Sequence, residues 1–425
     1  MNGRRSFRHA VKWAYVMTLG QRGIALILTF VLAAILGPKD FGVVAMAMAY
    51  ILFIEMLVAQ GMGAAIIQRR ELTSDHLDSV FWLIVAASLI LAGVSVALSP
   101  WWAAVNDLPE LTAVIRVLSL SIPIKGLTVV QHALLQRKMD FRSLALLTGA
   151  SSVVGGAVGV SLALTGCGVW SLVAQQLTDS AAAALVMWAV SGWRPRLRFS
   201  VRRARELLGF SGGVFASQLG VYTAAQADAV LMGIFFGPLA VGLYRLADRL
   251  VRVLLEVATR SIQIVSLPHF SSLQDEPERL KDAVLTCIRL SATITIPAMA
   301  ILAAVGDELM ALLGEKWAPS AAVLPVLVIM GSTKAITLFA GPLLLAKGRA
   351  KTVAALVWLL SVATAAGILA VGAGMKHAAT EAQVVAVALV RTGLFVILHG
   401  VVSIIITSKL CRIPARQFAT ALAPG

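Results

Sequence analysis

The chain has 425 residues, 59% of them hydrophobic and 13% charged, with a mean hydropathy of +0.88. Soluble proteins carry about 25% charged residues, so this composition excludes a soluble globular domain and points to a polytopic membrane protein. The net charge of +15 would suggest nucleic acid in a soluble protein; in a membrane protein, Lys and Arg instead mark the loops kept on the cytoplasmic side.

A membrane-spanning helix needs about 20 largely apolar residues. Twelve stretches qualify: 13–36, 41–66, 79–98, 114–135, 144–164, 169–190, 212–236, 241–266, 286–305, 321–345, 353–373 and 384–407. The first is no signal peptide, because its apolar run is too long, Gln21 and Arg22 interrupt it, and no small-x-small cleavage site clearly follows. The expected fold class is all-α, with about 12 transmembrane helices.

The N-terminus carries Arg4, Arg5, Arg8 and Lys12, which places it in the cytoplasm. Every second connection should then be basic. The N-terminus, those connections and the C-terminal tail together hold 23 Lys and Arg, while the opposite loops hold three, Lys39, Lys316 and Lys376. Trp101, Trp102 and Trp317 fall in the outer loops, where interfacial aromatics belong. Cys167, Cys287 and Cys411 lie far apart, without a CxxC, and read as packing residues.

The chain repeats internally. Gly37-Pro38 recurs as Gly237-Pro238 and Gly42 as Gly242, at an offset of 200; Leu134-Leu135 before Arg137-Lys138 recurs as Leu344-Leu345 before Lys347, at an offset of 210. In that second register Lys125 falls one residue from the counterpart of Lys334. Six spans per half is an even number, so both halves keep one orientation and form a parallel repeat. The expected organisation is a six-helix lobe over 1–190, an Arg-rich cytoplasmic connector over 191–211, a second six-helix lobe over 212–407, and a tail over 408–425 that is either cytoplasmic or the start of a thirteenth span. The connector is expected to form an amphipathic interfacial helix with its Arg against anionic headgroups.

Ten Lys and Arg remain inside the expected spans: Arg22, Arg116, Lys125, Arg245, Arg249, Arg252, Arg260, Arg289, Lys334 and Arg391. Each costs about 2.5–3.5 kcal/mol at a helix centre on insertion scales. Arg116, Arg289 and Arg391 read as residues snorkelling to an interface. The stretch Gly237–Arg260 is different. At 100° per residue, Arg245, Asp248, Arg249, Arg252, Glu256 and Arg260 share a stripe about 120° wide. Such a side cannot face lipid; it lines a watery route or meets a partner helix. Asp248–Arg252, Arg252–Glu256 and Glu256–Arg260 are also i,i+4 pairs that can neutralise one another as a structural ladder.

Lys125 sits between Pro123 and Gly126, where proline should kink the span, as a gate, a binding notch or a plain bend. Asp228 and Glu55 are the intramembrane acids open to ion coupling, or else partners of a neighbouring Arg; Asp179 is a weaker third. His132 and His399 read as packed polar residues. HExxH, GxSxG and GxxxxGK[ST] are absent, as are clustered Cys and His, so neither an enzyme nor a cofactor is expected.

GPKDFGVVAMAMAY (37–50) followed by GMGAAIIQRR (61–70) resembles the opening of bacterial polysaccharide repeat-unit flippases. These belong to the multidrug/oligosaccharidyl-lipid/polysaccharide exporter superfamily. DAVLMGIFFGPLAVGLY (228–244), with Phe210-Ser211 before it, resembles the seventh-to-eighth helix signature of the same proteins. The resemblance implies two six-helix lobes opening alternately to the two sides of the bacterial inner membrane. It implies a polyprenyl-pyrophosphate-linked oligosaccharide as substrate, in capsule, exopolysaccharide or O-antigen export. Its partners would be membrane lipids and the polymerase and export machinery.

A pyrophosphate cannot cross hydrocarbon bare, and guanidinium groups match phosphate oxygens. Arg22, Lys125, Arg245, Arg249, Arg252 and Lys334 are therefore the expected head-group clamp, with Pro123 and Gly126 as a hinge. Two rivals stay open: a drug or metabolite cation antiporter of the same superfamily, and a non-transporting membrane scaffold of a glycan-assembly complex.

Overall fold

The computed structural model describes residues 20, 23–59, 62–69, 72–138, 140–208, 211–413 and 417. These residues are helical almost throughout. The chain divides into two compact units, Met1–Tyr222 and Thr223–Gly425.

The first unit contains α1 (Gly23–Ile35), α2 (Pro38–Ala59), α3 (Met62–Gln68), α4 (Ser74–Val105), α5 (Glu110–Leu118), α6 (Ser121–Gly126), α7 (Val129–Arg137), α8 (Phe141–Leu164), α9 (Val169–Val190) and α10 (Val201–Leu208). The division falls inside α11 (Ser211–Ser272). The second unit continues through α12 (Pro277–Ala304), α13 (Gly306–Leu312), α14 (Ala318–Ala321), α15 (Leu324–Thr337), α16 (Ala340–Ala346), α17 (Ala350–Gly374), α18 (Thr380–Leu394), a π-helical stretch Phe395–Val401 and α19 (Val402–Cys411).

Among the described residues, eight helices are long and apolar enough to cross a membrane, or nine if the bent pair α5–α7 is one span. Twelve were expected, and three physical causes account for the gap. The candidate Gln218–Arg260 counts once, yet its 43 residues would run about 65 Å as one helix, twice the about 30 Å of hydrocarbon. It is broken at Gly237 (φ 75°, ψ −177°), the one non-helical residue inside α11. That backbone is open only to glycine, and Pro238, with its preset φ, starts the next helix. Helix α9 is long enough, but Gln175, Gln176 and Asp179 lower its hydropathy. Helix α1 is described only over Gly23–Ile35 and is too short on its own.

The side chains are arranged for lipid rather than water. Leu185, Leu164, Ile90 and Ile27 point outward, exposed, while Ser88, Ser95, Ser99, Ser119 and Ser121 are buried. Interior hydroxyls join helices where lipid supplies no hydrophobic drive between them: Ser95 Oγ and Ser119 Oγ lie 2.7 Å apart across α4 and α5.

Several expectations change here. Trp317 is fully buried rather than interfacial, because it lies in a short turn covered by the unit's own helices. Cys287 and Cys411 are buried, but Cys167 is exposed in the α8–α9 connection. Among the described residues of the connector before α11, the helix is confined to Val201–Leu208, and residues 193–200 are an irregular strap tied to the start of α4. Arg196 N–H donates to Asp78 Oδ1 (3.1 Å), Ser200 N–H to Ser79 Oγ (3.0 Å), and Trp82 Nε1 to the Arg196 carbonyl (2.8 Å). These bonds use the backbone groups that a helix would have needed. The tail residues 414–416 and 418–425 lie outside the described residues, so the thirteenth span is not addressed.

Candidate functional site

The stripe on α11 does meet partners, and they lie within the second unit. Asp228 and Asp248 are buried, each side chain 1% exposed. Asp228 Oδ1 accepts from Arg245 Nη2 at 3.1 Å and Oδ2 accepts from Arg391 Nη1 at 2.7 Å. Arg245 Nη2 also donates to Gln226 Oε1 (2.7 Å), and Arg391 Nη1 to Tyr244 Oη (2.7 Å). Arg252 Nη2 lies 3.0 Å from Asp248 Oδ2, and Arg391 Nη1 lies 3.8 Å from Asp248 Oδ1. Neither Asp248 oxygen accepts a hydrogen bond among the described residues, so Asp248 is held by charge rather than by directed bonds.

Lys334, on α15, joins the cluster from another side. Its Nζ lies 5.2 Å from the Phe395 ring centroid, a cation–π distance. Phe395 opens the π-helical stretch after α18, an irregularity common at functional positions. Among the described residues, no carboxylate lies within ion-pair distance of Lys334. The cluster thus gathers four cations (Arg245, Arg252, Lys334, Arg391) around two carboxylates (Asp228, Asp248). Within this group the cations outnumber the carboxylates by two, and Arg252, with its side chain 38% exposed, reaches solvent as well as Asp248.

Lys125 and Glu55 meet in the first unit. Lys125 Nζ lies 2.8 Å from Glu55 Oε1 and 2.9 Å from Oε2, and Ser121 Oγ donates to Oε1 at 3.1 Å. The expected kink exists but not at Pro123. Proline occupies the first turn of α6, where its missing N–H costs nothing. The chain bends by 43° between Gly126 and Val129. Gly126 serves close packing: a Cβ there would come 2.8 Å from Ser88 Oγ on α4.

Of the other expected residues, Arg249 is exposed on α11, and Arg22 lies outside the described residues. Asp228 and Glu55 are both engaged in ion pairs, so ion coupling through either would require those pairs to open. Arg391 differs most from expectation. Read as a snorkelling residue, it instead points inward, its side chain 11% exposed, and bridges Asp228, Asp248 and Tyr244. Gln226 and Tyr244 were also not singled out. A lone acid in one apolar span and a lone Arg in another was the available signal for the Asp228–Arg391 pair. His132, expected to be packed, is exposed.

Over residues 31–322 the sequence matches the family described as "Polysaccharide biosynthesis protein". It is 30% identical to the succinoglycan biosynthesis transport protein ExoT of Rhizobium meliloti (strain 1021), over 77% of this chain and 66% of the relative. It is 27% identical to the teichuronic acid biosynthesis protein TuaB of Bacillus subtilis (strain 168), over 70% and 62%. It is 25% identical to the lipopolysaccharide biosynthesis protein WzxC of Escherichia coli (strain K12), over 80% and 69%. The chain spans somewhat less than two thirds of the length of the first two relatives. Among solved structures, it has the fold of the lipid II flippase MurJ in an inward closed conformation (TM-score 0.78, 14% identity, 96% of this chain and 89% of that one). It likewise resembles an inward-facing multidrug resistance transporter of the MATE family (TM-score 0.70, 16% identity, 94% and 96%).

Proposed function

The chain belongs to the polysaccharide biosynthesis protein family, and from that premise we propose that it flips polyprenyl-pyrophosphate-linked oligosaccharide repeat units across the bacterial inner membrane. It is a member of a transport family, not an enzyme. Transport runs by alternating access of two six-helix lobes, with twelve crossings and a cytoplasmic N-terminus. The single observation that supports the substrate assignment is the excess of four cations over the two buried carboxylates they surround in the second unit. A pyrophosphate supplies the missing negative charge, and it can do so only while bound. Arg245, Arg252 and Lys334, with Arg391, make the head-group clamp; Arg22, Arg249 and Lys125 contribute further positive charge along the route. Asp228 and Asp248 hold the guanidinium groups in place when substrate is absent.

The same surplus weighs against a cationic drug as cargo, because such a site needs net negative charge. The reading is tested in a host strain that lacks the chain, by extracting its lipid-linked oligosaccharides. Complete repeat units should accumulate on their carrier while surface polymer disappears. Unchanged lipid-linked pools with undiminished polymer would contradict it.

A further inference from the structure

The first unit contains a cavity of about 390 Å³ beside the bend between α6 and α7. That is at the small end of ligand-sized clefts, about 300–1,000 Å³. Lys125, His132 and Gln136 give it polar groups, while Ile67, Val129 and Ala133 give it apolar ones. The bend that shapes it is fixed, since Trp188 Nε1 donates to the Leu127 carbonyl at 3.0 Å and Thr128 Oγ1 to the Lys125 carbonyl at 2.8 Å.

The Lys125–Glu55 pair is asymmetric. The lysine side chain is 36% exposed and the glutamate 15%. Lys125 lines the cavity and Glu55 does not, so an anion entering the cavity meets the cation before the carboxylate. Lys125 reaches both Glu55 oxygens, and Ser121 holds one of them from the side. If Lys125 turns to another anion, Glu55 keeps the serine hydroxyl. The carboxylate is thus a latch that a stronger acceptor can displace, and a phosphate with several charged oxygens is such an acceptor.

We propose that this cavity is a second anion site, separate from the cluster on α11, that takes the phosphate end of a prenyl-phosphate lipid. Lys125 is its cation, Glu55 is the group the phosphate displaces, and Ile67, Val129 and Ala133 receive the first part of the apolar tail. The choice of a prenyl chain rests on the transport reading above; the anion site rests on the geometry alone.

The test uses the full chain in nanodiscs of uncharged lipid, with farnesyl pyrophosphate and inorganic pyrophosphate as probes. The wild type should bind farnesyl pyrophosphate more tightly than inorganic pyrophosphate. Glu55→Gln should tighten binding by about tenfold and Lys125→Gln should weaken it by about tenfold, the scale of one charge-assisted hydrogen bond; Lys125→Arg should keep it. Ala133→Trp and, as a second plug, Gly63→Leu should remove the component of binding that Lys125→Gln weakens, leaving any binding at the α11 cluster, while both proteins elute as folded species. Unchanged or weaker binding by Glu55→Gln would overturn the latch. Equal affinity for the two probes, or displacement of farnesyl pyrophosphate by an anionic phospholipid at equal concentration, would overturn the prenyl-phosphate assignment. In the strain lacking the chain, absence of accumulated lipid-linked units would sink the transport reading. Accumulation that Ala133→Trp relieves as well as the wild type would sink the cavity proposal alone.

Discussion

The two charged sites within the membrane-spanning helices solve opposite problems. The cluster of the second unit interlocks three arginines with two carboxylates that are 1% exposed, and leaves Lys334 against an aromatic ring. The first unit has one lysine and one glutamate at the edge of a cavity, both partly exposed. Taking charges out of water is expensive and is repaid only by several well-placed partners. The interlocked arginines and acids are therefore part of the fold, and removing one of the two acids or a guanidinium that bridges them should be felt as lost stability. The pair is held by few contacts, and its loss should be felt in ligand binding instead.

That contrast breaks most readily at Asp228. Asp228→Ala leaves Arg245 and Arg391 buried without their shared acid, and should cost about 3–5 kcal/mol. The thermal midpoint of the purified protein would read it. The double change Asp228→Asn with Arg391→Gln should recover much of the loss. A double variant no more stable than Asp228→Ala would mean that the pair is not the source of the effect. Next in size is Gly126→Leu, which forces a side chain against Ser88 of α4 and should cost about 1–3 kcal/mol by overpacking. A midpoint equal to the wild type would show that α4 and α6 separate freely at the bend.

Lys334→Gln sharpens the comparison from the other direction. With no carboxylate in ion-pair reach among the described residues, Lys334 should be removable with a stability change within about 1 kcal/mol of the wild type. Transport should nevertheless fall severalfold at equal protein level. Full transport would show that the surplus charge is not used by the substrate.

The smallest effect concerns the strap outside the spans. Arg69, then His76, hold the Glu206 carboxyl below its ordinary range. A carboxylate with a depressed pKa contributes its stabilisation above the ordinary carboxylate value, and loses it as pH falls through the lower, folded value. Hydrogen exchange over 193–203, corrected for intrinsic rate, should therefore quicken on the acid side in the wild type. In Glu206→Gln that pH dependence should vanish; its persistence would place the sensitive group elsewhere.

Much of this arrangement could be read from residue order. Each of the twelve expected stretches contains helix among the described residues. The expected end of one span at 236 and start of the next at 241 bracket the break that the structure places at Gly237. The charged face of α11 followed from spacing alone. What spacing could not give was pairing. Periodicity reports which face of a helix a residue takes, not which helix lies opposite, so Arg391 looked peripheral although it binds both buried acids. Trp317 was misplaced for the same reason: an aromatic between spans looks interfacial until the covering helices are known. The connector shows a further limit. Its run of arginines suggested one amphipathic helix, but the side chains of Asp78, Ser79 and Trp82 on α4 capture its backbone instead.

The most direct measurement is transbilayer movement of a lipid-linked repeat unit in liposomes that contain only the purified chain. A fluorescent prenyl-pyrophosphate oligosaccharide placed in one leaflet should reach the other with the wild type, and much more slowly with Arg252→Gln and Lys334→Gln combined. Equal rates in protein-free, wild-type and variant liposomes would contradict transport by this chain. Wild-type movement that the double variant matches would contradict the role given to these two cations.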